Sequence, residues 1–112
     1  MVTYSNDAKQ ILLGVSADLL TSHGAVSPEV ARSMAEGAIL RTEANVSVAI
    51  TGVAGPDGGS QEKPVGLVHF GLAGANKKTQ HYRFYFQGDR TQIRLDSLEA
   101  AIDLLLTFVA DP

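Results

Sequence analysis

The sequence predicts a three-layer α/β/α domain with a mixed β-sheet. Helix start signals mark three segments before residue 45, β-rich runs follow between residues 46 and 87, and apolar residues recur at helical spacing towards the C-terminus. This order of elements is typical of a sheet with helices packed on its faces. At 112 residues the chain is long enough for one such core, so we expect a single domain over residues 1–112.

Three serines mark the starts of the first helices, because a serine hydroxyl can accept a hydrogen bond from a free N–H of the first turn. The predicted helices run from Ser5 to Leu13, from Ser16 to His23 and from Ser27 to about Glu43. Gly14 and Gly24 follow the first two as C-terminal caps. The third start is the strongest, since a proline and a glutamate follow the serine.

The β-rich runs predict a small sheet. Val46–Thr51 should be a central strand, and Val65–Ala73 and Thr79–Gln87 should form a hairpin with its turn over residues 74–78. Met1–Tyr4 is expected to be the end of a further strand.

The last predicted helix begins near Asp89 or Thr91. Its apolar stripe is expected to consist of Ile93, Leu98, Ala101, Ile102, Leu105, Phe108 and Val109.

Composition excludes several classes of function. The chain has no cysteine, so disulfides, thiolate metal sites and cysteine nucleophiles within it are excluded. Its net charge is −3 and its only basic pair is Lys77-Lys78, which argues against nucleic acid as a partner. No apolar run is long enough for a membrane span and no signal peptide is visible, so we expect a cytoplasmic protein. The three histidines lack the spacing of metal ligands, and no metal site is predicted.

The loop over residues 52–64 is the most informative stretch for function. It contains four glycines directly after the predicted central strand. Such loops let backbone N–H groups converge on a bound anion, commonly a phosphate. It matches neither the P-loop nor the dinucleotide-binding pattern. An ordinary wide turn between strands is the alternative.

Two side chains beside this loop are candidates for ligand binding. Thr51 ends the central strand, where ligands commonly bind in α/β folds, although it could equally be a packed strand residue. Arg90 lies at the start of the last helix and could bind a phosphate through two N–H groups. A surface contact with Asp89 is the alternative for Arg90, and Arg94 is a weaker candidate for the same role.

Several segments together resemble the CinA C-terminal domain family, and the resemblance covers essentially all 112 residues. The matching segments are Thr51–Ser60, Glu62–Gly66, Val2–Lys9 with Leu13–Val15, His23–Ser27 and Gly88–Arg90.

The resemblance implies a nicotinamide-nucleotide amidase, which hydrolyses nicotinamide mononucleotide to nicotinic acid mononucleotide and ammonia without a metal or another cofactor. It implies that Lys9 is the general base, that Tyr4 lies near the active site and that Thr51 belongs to the catalytic group. Without the resemblance, Lys9 would be interpreted as a solvated lysine on a short helix and Tyr4 as an aromatic residue packed at the edge of the sheet. The substrate-binding residues it implies are Gly52, Ala54, Gly55, Gly58, Gly59, Ser60 and Arg90.

The sequence departs from the family in one respect. The family domain begins with a strand and a helix that carry a Glu-Ser-Cys-Thr-Gly-Gly motif, whose serine is the proposed nucleophile of the family, and this motif does not occur here. Ser5, Ser16 and Ser27 are better explained as helix caps. We therefore expect a domain without its first strand and helix, which is catalytically silent by itself. Its open sheet edge should favour a homo-oligomer, a dimer or larger.

Three hypotheses remain. The chain is part of an amidase, a nucleotide-binding module without catalysis, or an interaction module that pairs its open sheet edge with another chain. Turnover of nicotinamide mononucleotide separates the first from the others, and ligand binding separates the second from the third.

Overall fold

The computed structural model describes residues 1–110, so Asp111 and Pro112 of the predicted domain lie outside the described residues. The elements are α1 (Asn6–Leu13), α2 (Ala17–His23), α3 (Pro28–Arg41), β1 (Val46–Gly52), β2 (Leu67–Gly74), β3 (Lys77–Tyr85) and α4 (Arg90–Ala110). Their order confirms the predicted α/β class.

Side-chain caps begin the first three helices, as predicted. Ser5 accepts a hydrogen bond from the Ala8 N–H, and Ser16 and Ser27 cap α2 and α3 in the same way. Gly14 ends α1 in the left-handed conformation that favours glycine. The helix starts were therefore predictable from local chemistry alone.

The sheet has the order β1-β2-β3, and both neighbouring pairs are antiparallel. Within residues 1–110 the pairing is therefore antiparallel throughout rather than mixed, because residues 1–4 form no strand that could supply a parallel partner. The predicted hairpin is present, and its turn is shorter than expected. Only Ala75 and Asn76 separate β2 from β3, and Asn76 takes a positive φ of 62°, which asparagine tolerates better than most residues.

Helices cover both faces of the sheet and give the three predicted layers. On one face, α1, α2 and α3 bury Leu13, Val30 and Met34 against Ala49 and Ala73 of the sheet. On the other face, α4 packs against the sheet through a second apolar cluster. Its buried members are Val68, Phe70, Ile93 and Ala101.

The apolar stripe predicted for α4 is corrected by the structure. Ile93, Ala101 and Phe108 are buried as expected, but Leu98, Ile102 and Val109 are about half exposed. The expected stripe combined residues of a buried face and of an outer face, because both faces of this helix are rich in apolar residues. No helix within residues 1–110 combines the length and apolarity needed to cross a membrane.

The α3 helix lies unusually close to β2. A Cβ atom on Gly71 would lie 2.2 Å from the carbonyl oxygen of Ala31, which is closer than van der Waals contact allows. The close packing of α3 against β2 therefore requires a residue without a side chain at position 71.

Candidate functional site

A cleft of about 830 Å³ lies at the end of the sheet where β1 finishes. Its walls come from residues 1–4, from the buried side of α1, from the last residues of β1, from the glycine loop and from the start of α4. The volume is within the range of small-ligand sites. Parts of the chain that are far apart in sequence therefore converge on one cavity.

Lys9 is the most unusual side chain of the cleft. It is only 6% exposed, and its Nζ donates a hydrogen bond to the carbonyl oxygen of Thr3 at 2.6 Å. Burial lowers the pKa of this amine from its usual range. Within residues 1–110 the only salt bridge joins His23 to Glu29, so no described carboxylate stabilises the Lys9 ammonium.

Tyr4 lines the same cleft but is 88% exposed. The phenol therefore does not pack against the edge of the sheet, which was the simplest interpretation of an aromatic residue at this position. Its position at the cleft is compatible with substrate contact, and its role stays a prediction.

Thr51 is buried at the end of β1, and its hydroxyl donates a hydrogen bond to the carbonyl oxygen of Ala25 at 2.7 Å. The hydroxyl proton is therefore already used within the protein, so Thr51 can offer a ligand only its oxygen lone pairs. This bond also holds the connection between α2 and α3, residues 24–27, against β1.

The glycine loop, residues 52–64, is closed at its base by backbone hydrogen bonds. The Val53 N–H donates to Leu67 at 2.9 Å, and the Gly66 N–H donates to Val53 at 2.7 Å. The predicted binding residues divide into two groups along this loop. Gly52, Ala54, Gly55 and Gly58 line the cleft, whereas Gly59 and Ser60 are not among its lining residues.

Ser60 has a local structural role. Its hydroxyl accepts a hydrogen bond from the Lys63 N–H at 3.0 Å, and its own N–H donates to the Lys63 carbonyl at 2.9 Å. These bonds close a tight turn at the far end of the loop, and the assignment of Ser60 as a ligand contact stays a prediction.

Two arginines of α4 face the cleft. Arg90 donates from Nη1 to the Gly55 carbonyl oxygen at 3.0 Å and thereby fixes the first half of the glycine loop. Arg94, one turn further along, also lines the cleft, and within residues 1–110 it makes no side-chain hydrogen bond or salt bridge. Arg94, the weaker candidate from the sequence, is therefore as well placed in the cleft to bind a phosphate as Arg90.

Sequence reasoning missed several of the residues that line the cleft. Asp57 lies on the loop, and Ala25 and Val26 lie on the α2–α3 connection. The signal for Ala25 and Val26 was present, because they belong to the segment His23–Ser27 that resembles the family. Within residues 1–110 no group of three or more histidine, aspartate or glutamate side chains could hold a metal ion.

Comparisons with known proteins agree with this geometry. The family model of the CinA C-terminal domain matches residues 1–109. A CinA-like protein of Endomicrobium trichonymphae is 47% identical over 105 residues, covering 94% of this chain and 24% of the relative. A CinA-like protein of Geotalea daltonii is 51% identical over 105 residues, covering 94% of this chain and 25% of the relative. The chain thus spans about a quarter of the length of these curated relatives.

Solved structures of similar proteins share the fold of this chain. The competence/damage inducible protein CihA of Agrobacterium tumefaciens superposes with a TM-score of 0.91 at 48% identity, over 95% of this chain and 65% of that one. The competence damage-inducible protein A of Klebsiella pneumoniae also reaches 0.91, at 32% identity, over 98% of this chain and 68% of that one.

Proposed function

This chain belongs to the CinA C-terminal domain family, and we propose that its cleft binds nicotinamide mononucleotide and takes part in hydrolysing the carboxamide of that nucleotide. The observation that carries the proposal is the buried Lys9 amine, which lies in the same cavity as the glycine loop and two arginines. A lysine whose pKa is lowered by burial can accept a proton from a hydroxyl nucleophile.

The proposed reaction divides the work among these groups. A serine hydroxyl attacks the carboxamide carbon while Lys9 takes the hydroxyl proton and later delivers it to the departing ammonia. Backbone N–H groups of the glycine loop stabilise the negative oxygen that forms on the carboxamide. Water then cleaves the resulting acyl–serine ester and releases nicotinic acid mononucleotide.

The phosphate of the nucleotide is assigned to the start of α4. A guanidinium has five N–H donors, so Arg90 can keep its bond to Gly55 and still contact a phosphate oxygen. Arg94 offers a second guanidinium on the same side of the cleft. Two such groups suit a dianionic phosphate, whose oxygens accept paired hydrogen bonds.

The nucleophile does not come from the helix-capping serines. Ser5, Ser16 and Ser27 each accept a hydrogen bond from a backbone N–H, so their oxygens are committed to the helices. The Glu-Ser-Cys-Thr-Gly-Gly motif does not occur in these 112 residues. We place the serine on a further segment seated in the cleft, between residues 1–4 and the outer edge of β1.

A fusion protein tests this function. A segment that carries the Glu-Ser-Cys-Thr-Gly-Gly motif of the family is joined to Met1, and release of ammonia and nicotinic acid mononucleotide is measured. We expect turnover by the fusion and none by the 112-residue chain alone. In the fusion, Lys9→Met should lower kcat about 100-fold or more, because proton transfer is lost, while substrate affinity changes little.

Lys78→Met is the matched control, since Lys78 is an exposed lysine on β3 outside the cleft. Full kcat in Lys9→Met would refute the role of Lys9 as the base. The second candidate, a nucleotide-binding module without catalysis, is favoured by the commitment of the three serines to helix caps. It would be supported if the fusion binds nicotinamide mononucleotide tightly but never releases ammonia.

A further inference from the structure

The connection between α2 and α3 is held by three side chains. Three consecutive backbone carbonyls, those of the last residue of α2 and of the first two residues of the connection, each accept a hydrogen bond from a side chain. Ala25 and Val26 of the connection also line the cleft. The pairs are Lys63 Nζ to His23 at 2.7 Å, Ser27 Oγ to Gly24 at 2.8 Å and Thr51 Oγ1 to Ala25 at 2.7 Å.

Lys63 differs from the other two donors because it comes from the glycine loop. It is 40 residues away from His23 in sequence, and its ammonium group reaches the carbonyl at the end of α2. Helix-terminal carbonyls lack a partner within the helix, so a cation is favoured there.

The ammonium lies directly over Gly24. A Cβ atom on Gly24 would be 2.7 Å from Lys63 Nζ, and Gly24 has a φ of 77°. Any other residue at position 24 would be strained and would displace the lysine. The contact between the Lys63 ammonium and the end of α2 therefore requires glycine at position 24.

The glycine loop is thus pinned at two points. Arg90 holds its first half through Gly55, and Lys63 holds its second half through His23. The backbone of Lys63 is also fixed, by the turn it forms with Ser60. Residues 56–62 lie between the two anchors, and 60–62 of these belong to that turn.

We propose that Lys63 is a positioning residue, which keeps the glycine loop and the α2–α3 connection at a fixed separation so that the cleft is formed before a nicotinamide nucleotide enters. An anchor of this kind improves affinity because less conformational entropy is lost on binding. The identity of the ligand rests on the proposed function, whereas the anchoring of the loop does not.

The test compares Lys63→Met, Lys63→Arg and the control Lys78→Met. Amide hydrogen exchange is measured without ligand, and the Kd for nicotinamide mononucleotide is measured by calorimetry. In Lys63→Met we expect faster exchange at Ala25, Val26 and residues 57–60, and a Kd raised about three- to tenfold, the range expected for one lost hydrogen bond. Lys63→Arg should restore both within about twofold, since a guanidinium can also donate to the carbonyl.

Unchanged loop exchange and unchanged Kd in Lys63→Met would overturn the proposal. A rise in exchange that extends equally through β2 and β3 would also overturn it, because the effect would then be a general loss of stability. If the wild-type chain binds no nicotinamide mononucleotide but Lys63→Met still loosens the loop locally, the proposed ligand is wrong and the anchoring by Lys63 is supported.

Discussion

Lys9 combines a charge with burial, and this combination has a thermodynamic signature. The amine leaves water on folding and gains only the carbonyl of Thr3, so its charged form is less favourable in the folded chain than in the unfolded one. The same lowered pKa that suits proton transfer therefore reduces stability at neutral pH. Functional groups commonly carry such a cost.

The pH dependence of unfolding tests this property of Lys9. Its folded pKa lies below the ordinary value of 10.5, so between these two values the unfolded chain binds more protons. The unfolding free energy should therefore rise with pH across this window. At pH values below the window, the contribution of Lys9 to the unfolding free energy is at its lowest. Denaturant titrations of the wild type and of Lys9→Met should diverge across the window. Parallel curves would contradict the assignment.

His69 is a second buried titratable group, on the sheet face that α3 covers. Its Nδ1 lies 2.9 Å from Nε2 of His81, so one neutral imidazole donates to the other. Burial, followed by the charges of His81, Arg83 and Lys63, lowers the pKa of His69 to about 4, while Glu29 opposes the shift. Folding therefore favours the uncharged form of His69.

Acidification should therefore destabilise the chain through His69. Because its folded pKa of about 4 is below the unfolded value of 6.5, the unfolded chain takes up the extra proton as the pH falls from 6.5 to 4. With about 1.4 kcal/mol per pKa unit, we expect a loss of more than about 1 kcal/mol over this range. His69→Gln should flatten this part of the stability curve, and a curve unchanged from that of the wild type would contradict the assignment.

At the scale of single residues, the sequence was informative where the chemistry is local. The serine caps follow from neighbours within three residues, and they were predicted correctly. The partners of Thr51 and Lys63 are 26 and 40 residues away, so only the folded chain could reveal them. The burial of Lys9 is likewise a property of how α1 packs.

At the scale of elements, α4 shows the limit of periodicity. Helical spacing identifies apolar faces, but α4 has one buried set and one exposed set of apolar residues at compatible spacings. The sheet decides which face of α4 is buried, because Ile93 and Ala101 of the helix pack in one cluster with Val68 and Phe70 of β2. The sequence therefore predicted the helix correctly and its buried face only in part.

The contact between α3 and β2 gives an element-scale prediction. Gly71→Ala places a methyl group 2.2 Å from the Ala31 carbonyl oxygen, so either the helix or the strand must move. We expect a loss of about 2–3 kcal/mol in the free energy of unfolding, measured with denaturant. Gly74→Ala is the matched control on the same strand, since its nearest contact would be a side-chain atom at 3.2 Å. A loss of unfolding free energy no larger than that of Gly74→Ala would show that α3 and β2 can move apart at little energetic cost.

At the scale of the whole molecule, the outer edge of β1 is one of the two unpaired edges of the described sheet, the other being that of β3. β1 has only one partner in the sheet of residues 1–110, and Ile50 beside the edge is 40% exposed. Unpaired edges favour association with another chain. We propose that, when the serine-bearing segment is absent, a second copy pairs with this edge.

Light scattering tests the association. We expect the wild-type chain to be a dimer or larger, and Ile50→Lys to shift it towards the monomer, because a charge beside a sheet edge opposes pairing. Leu40→Lys is the control, since Leu40 is 85% exposed and lies on α3 rather than on a strand of the sheet. A monomeric wild type, or equal disruption by both substitutions, would refute pairing through β1.

The two-residue turn between β2 and β3 offers a practical attachment point. Ala75 is exposed, and it lies at the end of the sheet opposite the glycine loop, because β2 begins beside the loop and ends at this turn. The chain contains no cysteine, so Ala75→Cys would introduce a single thiol for a fluorophore or a spin label. Distances between labels on two copies could then be measured with the cleft left untouched.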